Sequence, residues 1–348
     1  MALAAQHERY LRGAGGSRAV LKFVVAPGVD GQRRRLNHAD FTGADLAGAR
    51  FAGCHLEGAS LYCADLSRAD LRASNVRRAD LRGASLAGAS LNGAVLDEAD
   101  MRAGYIACVD KGRSLQIFSQ RPGAADGADR LGADFTNCSL RGASLCGANL
   151  KGANFSGAIL DGAELTGARM AGAVFKDTLL TGLGGADLGL TPDQLSGCIF
   201  EPAAAAFTRA AALAAMLQQA GDWVASRGRE GAPAVLDGED MRPLRAALRG
   251  RALTGLSASG ALAIGMDFSG SELQGAMFDG ADLRGAVFEH ADLRGASFRG
   301  AKLSHARFSR ADLAPLFLAD GRVQCTDFTG AARDRTDFSD TPLAGLHA

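Results

Sequence analysis

The sequence predicts an all-β solenoid in two segments, with a short helical insertion or connector between them. Three observations predict it. An apolar residue recurs at every fifth position over long runs, and the residue two places before it is almost always small. The composition, with 46 Gly, one Trp and 6% aromatics in 348 residues, is odd for two or three ordinary domains but natural for repetition.

Residues 1–35 come before the first run. Leu3, His7, Tyr10 and Leu11 carry a short amphipathic helix pattern, and Val20, Leu21, Phe23 and Val25 follow as a strand. A cap is expected here, because the first coil of a solenoid otherwise presents an open apolar end and an unpaired strand edge. Arg9, Arg12, Arg18, Lys22, Arg33, Arg34 and Arg35 stand against Glu8 and Asp30, a net charge of about +5. A solvated cap is favoured over nucleic-acid contact, and direct nucleic-acid binding is not expected.

The first repeat segment is assigned to 36–200. Its fifth-position residues run through Phe41, Leu46, Leu66 and Leu86 to Met101 and Ile106 without a miss, 14 in a row. Ten more run from Phe135 through Leu150 and Phe155 to Leu180, and a further ten run from Phe268 through Phe278, Phe288, Leu293 and Phe298 to Leu313. Two residues before these 34 centres stands Ala in 27 cases, the exceptions being Cys54, Ser74, Gly104, Cys138, Thr178, Met266 and Ser271. A period of five fits neither the 3.6 of a helix nor the 2.0 of a strand, so neither element can place all the centres on one face. The backbone has to turn a corner every five residues, with Leu46, Leu66, Leu86, Leu150, Phe155, Phe268, Phe278, Phe288, Leu293 and Phe298 in the core.

The repeating unit reads A-[DN]-[LF]-x-G, as in Ala39-Asp40-Phe41-Thr42-Gly43 and Ala281-Asp282-Leu283-Arg284-Gly285. It closely resembles the pentapeptide-repeat family. The resemblance covers most of the chain and implies a right-handed quadrilateral β-helix, in which four pentapeptides make a coil of 20 residues with the central Leu or Phe and the preceding small residue both inside. It does not by itself imply a function. One such coil buries too little to offset its own ordering, so stability grows with coil number. Residues 20 apart should then stack. Glu57, Arg77 and Asp97 form one such column, Arg78 and Glu98 another, and Asp279 with Arg299, Asp282 with Lys302 and Arg307 with Asp327 follow in the last block. Strict alternation of Phe and Leu there predicts two facing aromatic ladders, Phe268, Phe288, Phe308 and Phe328 on one side and Phe278 and Phe298 on the other.

The count changes phase between Ile106 and Phe135, so residues 107–130 are expected to bulge out as an inserted loop. They read as a small hairpin around Lys111-Gly112 and a polar loop through Arg121-Pro122-Gly123. A tolerated insertion is favoured over a partner-contacting loop. Leu190, Leu195 and Phe200 keep the phase, with Thr191-Pro192-Asp193-Gln194 resembling a trailing coil of the family. Residues 201–262 are expected to be a helical connector between two solenoids, or a side insertion in one continuous stack. Its first helix, Ala203 to Val224, carries Phe207, Ala211, Ala214 and Leu217 at helical spacing. Its second, Asp240 to Leu248, has Asp240 as N-cap and Gly250 past its end. The second solenoid then occupies 263–348.

Candidate chemistry is thin. Most Asp residues, Asp40, Asp45, Asp65, Asp70, Asp80, Asp134, Asp282, Asp292 and Asp312 among them, stand just before a centre, where a side-chain oxygen can accept a nearby amide at a corner. Repetition at one position argues for structure over catalysis. The six His show no metal spacing. Of the seven Cys, Cys54, Cys138 and Cys198 take the small inward position, while Cys63, Cys108, Cys146 and Cys325 pair with nothing at zinc-ribbon spacing. The evenly spaced Gly mark corners rather than phosphate loops. No catalytic, cofactor or metal site is assigned, and the chain is not expected to be an enzyme.

Formal charge is zero, from 38 basic and 38 acidic residues. No run reaches the roughly 18 apolar residues of a membrane span, and the first residues lack a secretory pattern. A cytoplasmic, non-catalytic scaffold binding another protein through its faces, loop and helices is therefore expected. The alternative, implied by resemblance to DNA-mimicking members of the family, is a protein that binds DNA gyrase or topoisomerase IV. The excess of acid is small for that, with nine acidic against seven basic residues over 37–105 and twelve against nine over 256–348. A homodimer through an exposed coil end is also open.

Overall fold

The computed structural model describes residues 2–104, 106–109, 115–118, 132–183, 190–195, 197–245 and 247–342. Each five-residue side begins with one residue in a parallel bridge and closes with a turn. The N–H of Ala44 returns to the Phe41 carbonyl at 2.9 Å, and the residue between them at the corner, Gly43, has φ 63°. Four such sides bring the chain back above itself. Asp40 pairs with Ser60, Ser60 with Asp80 and Asp80 with Asp100, each 20 residues on, and the N–H of Phe41 donates to the Ser60 carbonyl at 2.7 Å. The result is the right-handed quadrilateral β-helix. Because every corner needs a left-handed residue, glycine dominates there. Where another residue takes the corner, as Arg78 (φ 54°) and Glu98 (φ 59°) do, the backbone carries a cost of about 1–2 kcal/mol.

The chain divides into two compact units, Met1–Glu201 and Pro202–Ala348. In the first, helix α1 (Ala2–Leu11) precedes the coils. The coil path begins with Val20 paired to Asp40 and continues with Val25, Asp30 and Arg35 paired to Asp45, Arg50 and His55. Residues 20–35 are thus a coil of the solenoid, and its start lies before residue 36. This coil was hidden from the apolar count because Ala26 and Gly31 stand at two of its centres. Above it the four core columns are filled. In one of them Phe135, Phe155 and Phe175 stack face to face with centroids 4.8 and 5.0 Å apart.

The insertion leaves the coil path and returns without loss of register. Ser90, Val95 and Asp100 pair with Asp134, Ser139 and Ser144, so the spacing rises from 20 to 44 for one coil. Strands β1 (Ile106–Val109) and β2 (Leu115–Phe118) pair antiparallel within it, from Ile106 opposite Phe118 to Val109 opposite Leu115. The hairpin therefore stands, while its Lys111-Gly112 turn and the Arg121-Pro122-Gly123 loop lie outside the described residues. Of the ten core residues assigned from sequence, nine are buried. Leu86 is only partly buried against the core, where the neighbouring Ser85 pairs with no described residue of the next coil.

In the second unit, helix α2 (Ala204–Ala225) buries Leu213, Leu217 and Ala220. They join the core of the first coil through Leu236, Met241 and Leu253. The buried stripe is displaced from the one expected, and Phe207 is 59% exposed. The helical span is also shorter than 201–262, since Val235 already pairs with Ser257 and Asp240 with Leu262. In place of a helix over 240–248 there is one 3-10 turn, Arg242–Leu244. The backbone here is committed to the coil path instead, with the Met241 amide donating to the Leu262 carbonyl and the Gly250 amide to the Ser269 carbonyl, both at 2.9 Å. Strands β3 (Leu316–Phe317) and β4 (Val323–Gln324) form a small hairpin off the last coils.

That hairpin corrects one ladder. Ser297 pairs with Asp327, 30 residues on, so Phe328 stacks on Phe298 at 5.0 Å and not on Phe308. The two columns are Phe268, Phe288, Phe308 and Phe338, and Phe278, Phe298 and Phe328, with edge contacts between them such as Phe288 to Phe298 at 5.5 Å. For the same reason Arg307 lies beneath Asp337 and pairs with Glu289 at 3.2 Å, while Asp327 faces Arg299 at 3.7 Å.

Candidate interaction surface

With Ala and Leu or Phe turned inward, the faces are made by the residues on either side of each centre. The Asp before the centre behaves as its position predicts. Asp40, Asp45, Asp65, Asp70, Asp80, Asp134, Asp282, Asp292 and Asp312 each accept the amide two residues on, at 2.9–3.4 Å. These carboxylates hold corners.

A second feature escaped the sequence reading. Where Arg follows the centre it folds back onto the same Asp with two parallel bonds. Arg72 grips Asp70, Arg82 grips Asp80, Arg102 grips Asp100, Arg242 grips Asp240 and Arg294 grips Asp292, with Nε and Nη2 at 2.6–2.9 Å from the two carboxylate oxygens. Arg284 does the same with Asp282, there largely buried. The signal was present as the recurring D-[LM]-R. Coil stacking extends these forks into columns, as Arg82 also reaches Asp100 at 3.6 Å and Arg294 reaches Asp312 at 3.7 Å.

Among the described residues the electrostatic result is six neutralised pairs, while Asp45, Asp65 and Asp134 accept only amide or hydroxyl donors. The Arg72 and Arg102 guanidinium groups hold Asp70 and Asp100 below the usual carboxylate range. Burial pushes Asp292 up, but the bonds from Arg294 and Gln274 together outweigh it and hold the carboxyl below its ordinary value. At the corners Arg78 sits between Glu98 at 2.8 Å and Glu57 at 3.9 Å, and Arg77 leans to Glu98 at 3.5 Å. The expected Arg78 and Glu98 pair forms, but the Glu57, Arg77 and Asp97 column is crossed. Asp279 takes the Arg299 amide at 3.1 Å. Among the described residues no group of His, Cys, Asp and Glu could hold a metal ion, and no helix is long and apolar enough to cross a membrane. Burial raises the Cys54 thiol to about 12, consistent with a small inward residue.

Helix α1 is tied to the first coil by His7, which is fully buried and whose Nδ1 accepts the Ala19 amide at 3.0 Å. Burial lowers its pKa, with Arg18 and His38 adding to the effect and the Asn37 carbonyl and Glu8 opposing it. Above the ordinary histidine value of about 6.5 both docked and undocked states are neutral and the docking is at full strength. Below it the undocked helix takes up a proton that the docked one refuses, so α1 is expected to loosen on acidification through that value. An NMR titration in which His7 of the folded protein titrates at or above the ordinary value contradicts this.

The family model for pentapeptide repeats matches the chain with eight copies, over residues 39–78, 64–102, 131–167, 253–289 and 281–314. The chain is a pentapeptide-repeat protein. Among solved structures this pentapeptide-repeat protein is similar to HetL of the cyanobacterium Nostoc sp. strain PCC 7120, involved in heterocyst differentiation regulation, with 21% identity over 99% of this chain and 96% of that one and a TM-score of 0.22. It is also similar to a thylakoid-lumen protein of Arabidopsis thaliana, at 26% identity over 39% of this chain and 66% of that one with a TM-score of 0.23. QnrB1, a plasmid-mediated fluoroquinolone resistance protein, aligns at 20% identity over 54% of this chain and 96% of its own, TM-score 0.21. These likenesses are of repeat type alone. A comparison with curated proteins finds no match.

Proposed function

We propose that this pentapeptide-repeat protein is a non-catalytic scaffold that binds another protein through its solenoid surface. The observation that carries this reading is the pairing of each D-[LM]-R carboxylate with its own arginine. A DNA-like rod needs rows of uncompensated negative charge, which attract the basic channel of a topoisomerase over a distance. Here six of the carboxylates in these rows are closed ion pairs, which lowers the net field and leaves arginine donors at the surface. Such a surface suits a partner that matches shape and hydrogen bonds, the usual mode of extended solenoid faces. The repeated Asp, each committed to an amide, are poorly placed for general acid or base work.

The supercoiling reaction of purified DNA gyrase, and the decatenation reaction of topoisomerase IV, separate the two ideas. Added in excess, this protein is expected to leave both rates unchanged and to give no protection from a quinolone. Inhibition at micromolar concentration would establish the DNA-mimic alternative in place of the scaffold.

A further inference from the structure

Among the described residues none pairs beneath the first coil. In the coil above, the amides of Asp40, Asp45, Arg50 and His55 donate downward to the carbonyls of Ala19, Val24, Val29 and Arg34 at 2.7–2.9 Å. The equivalent amides of Val20, Val25, Asp30 and Arg35 make no hydrogen bond to any described residue. They lie one on each of the four sides of the coil, and each leaves a short open parallel edge of the kind that solenoids and sheets normally cover. Helix α1 meets this coil where the His7 Nδ1 accepts the Ala19 amide.

Inside that edge the core is incomplete. Ala26 and Gly31 occupy centres that hold Leu46 and Phe51 one coil higher, and the Phe51 ring leans down until a Cβ on Gly31 would lie 2.5 Å from it. A cavity of about 260 Å3 remains, lined by Leu21, Val24, Ala26, Leu36 and Phe51 among others. Around it Val20, Phe23 and Val25 are more than half exposed, at 55, 57 and 64%. The charge there is positive. Arg18 and Lys22 share the single carboxylate of Asp40 at 3.7 and 3.4 Å, and Arg33, Arg34 and Arg35 have no carboxylate within 4.0 Å among the described residues.

We infer that one side of this coil end binds an extended acidic segment of another protein, which pairs there as one short parallel strand and seats an apolar side chain in the cavity. The inference rests on the scaffold reading above and names its partner by chemistry. Open amides supply the backbone pairing, the cavity supplies the anchor and the arginines select acid over base. A second copy of the same edge is a poor occupant, because it would bring the same cations face to face.

Fluorescence anisotropy with the full chain tests it, using a labelled peptide alternating Glu or Asp with Val or Leu, its Lys counterpart and a single-stranded oligonucleotide as probes. The acidic peptide is expected to bind and the Lys peptide not to. Arg34→Glu with Arg35→Glu should weaken binding at least tenfold, as should Ala26→Phe, which fills the cavity. Circular dichroism confirms that each variant keeps its fold. Acidic-peptide binding that survives both changes, or oligonucleotide binding that is the tighter and is lost with the arginines, overturns the inference. If the peptide fails while a cellular protein still binds another face, this inference falls and the scaffold stands.

Discussion

Phe288→Ala is expected to lower the unfolding free energy of the second unit by about 3–5 kcal/mol. Its ring is fully buried, stacked between Phe268 at 4.9 Å and Phe308 at 4.8 Å and met edge-on by Phe278 and Phe298. Truncation removes the buried ring and all of these contacts together. The backbone ladders on both sides fix the coil spacing, so neighbouring coils cannot sink into the space left behind. The cavity therefore persists, which puts the cost at the upper end of its class. Phe288→Leu should recover most of the loss, since Leu293 and Leu283 already show that leucine fits an inward centre. Urea unfolding followed by circular dichroism gives the comparison. A loss below about 1 kcal/mol for the alanine variant would mean that the aromatic columns do not carry the packing.

The opposite change is expected to hurt at the small position. Ala281 lies in a column with Ala261 and Ala301, all fully buried; its carbonyl accepts the Lys302 amide of the next coil at 2.9 Å, its amide donates to the Phe278 carbonyl at 3.1 Å, and the adjoining Asp282 amide donates to the Ala261 carbonyl of the coil below at 2.9 Å. Ala281→Leu adds three carbons where the backbone cannot retreat, and a destabilisation of about 1–3 kcal/mol or more follows. The sequence contains its own control. At Leu256 and Ala258 the bulky residue takes the preceding place and alanine the centre, and both are buried. Volume is conserved across the pair, so Ala281→Leu combined with Leu283→Ala should be milder than Ala281→Leu alone. If the single and double variants are equally damaged, the alternation of narrow and bulky residues is not what fills the shaft.

Much of this was legible from residue order because a fivefold period with a small residue two places earlier admits few backbones. Nine of the ten core residues and all nine corner aspartates fell where the period placed them. What the period did not show had local physical causes. Ala26 and Gly31 broke the apolar count, so a real coil looked like a cap. The pairing of Asp240 and Met241 with Leu262 in the next coil left a single turn where an amphipathic stretch suggested a helix. The β3 and β4 hairpin added ten residues without breaking the apolar rhythm, so Phe328 kept its phase in the sequence while changing column in space. The arginine forks were missed because motif reading treats the residue after the centre as variable, although its side-chain geometry depends on the Asp two places before it.

The register across that hairpin tests the coil path most directly. With the native Cys325 replaced by Ser, Arg299→Cys paired with Thr329→Cys should form a disulfide rapidly under mild oxidation. The two residues are both exposed and lie one above the other, next to the bond from the Gly300 amide to the Thr329 carbonyl at 2.9 Å. Arg299→Cys with Ala319→Cys, 20 apart in sequence, should not. Closure of the second pair in preference to the first would contradict the stacked-coil account.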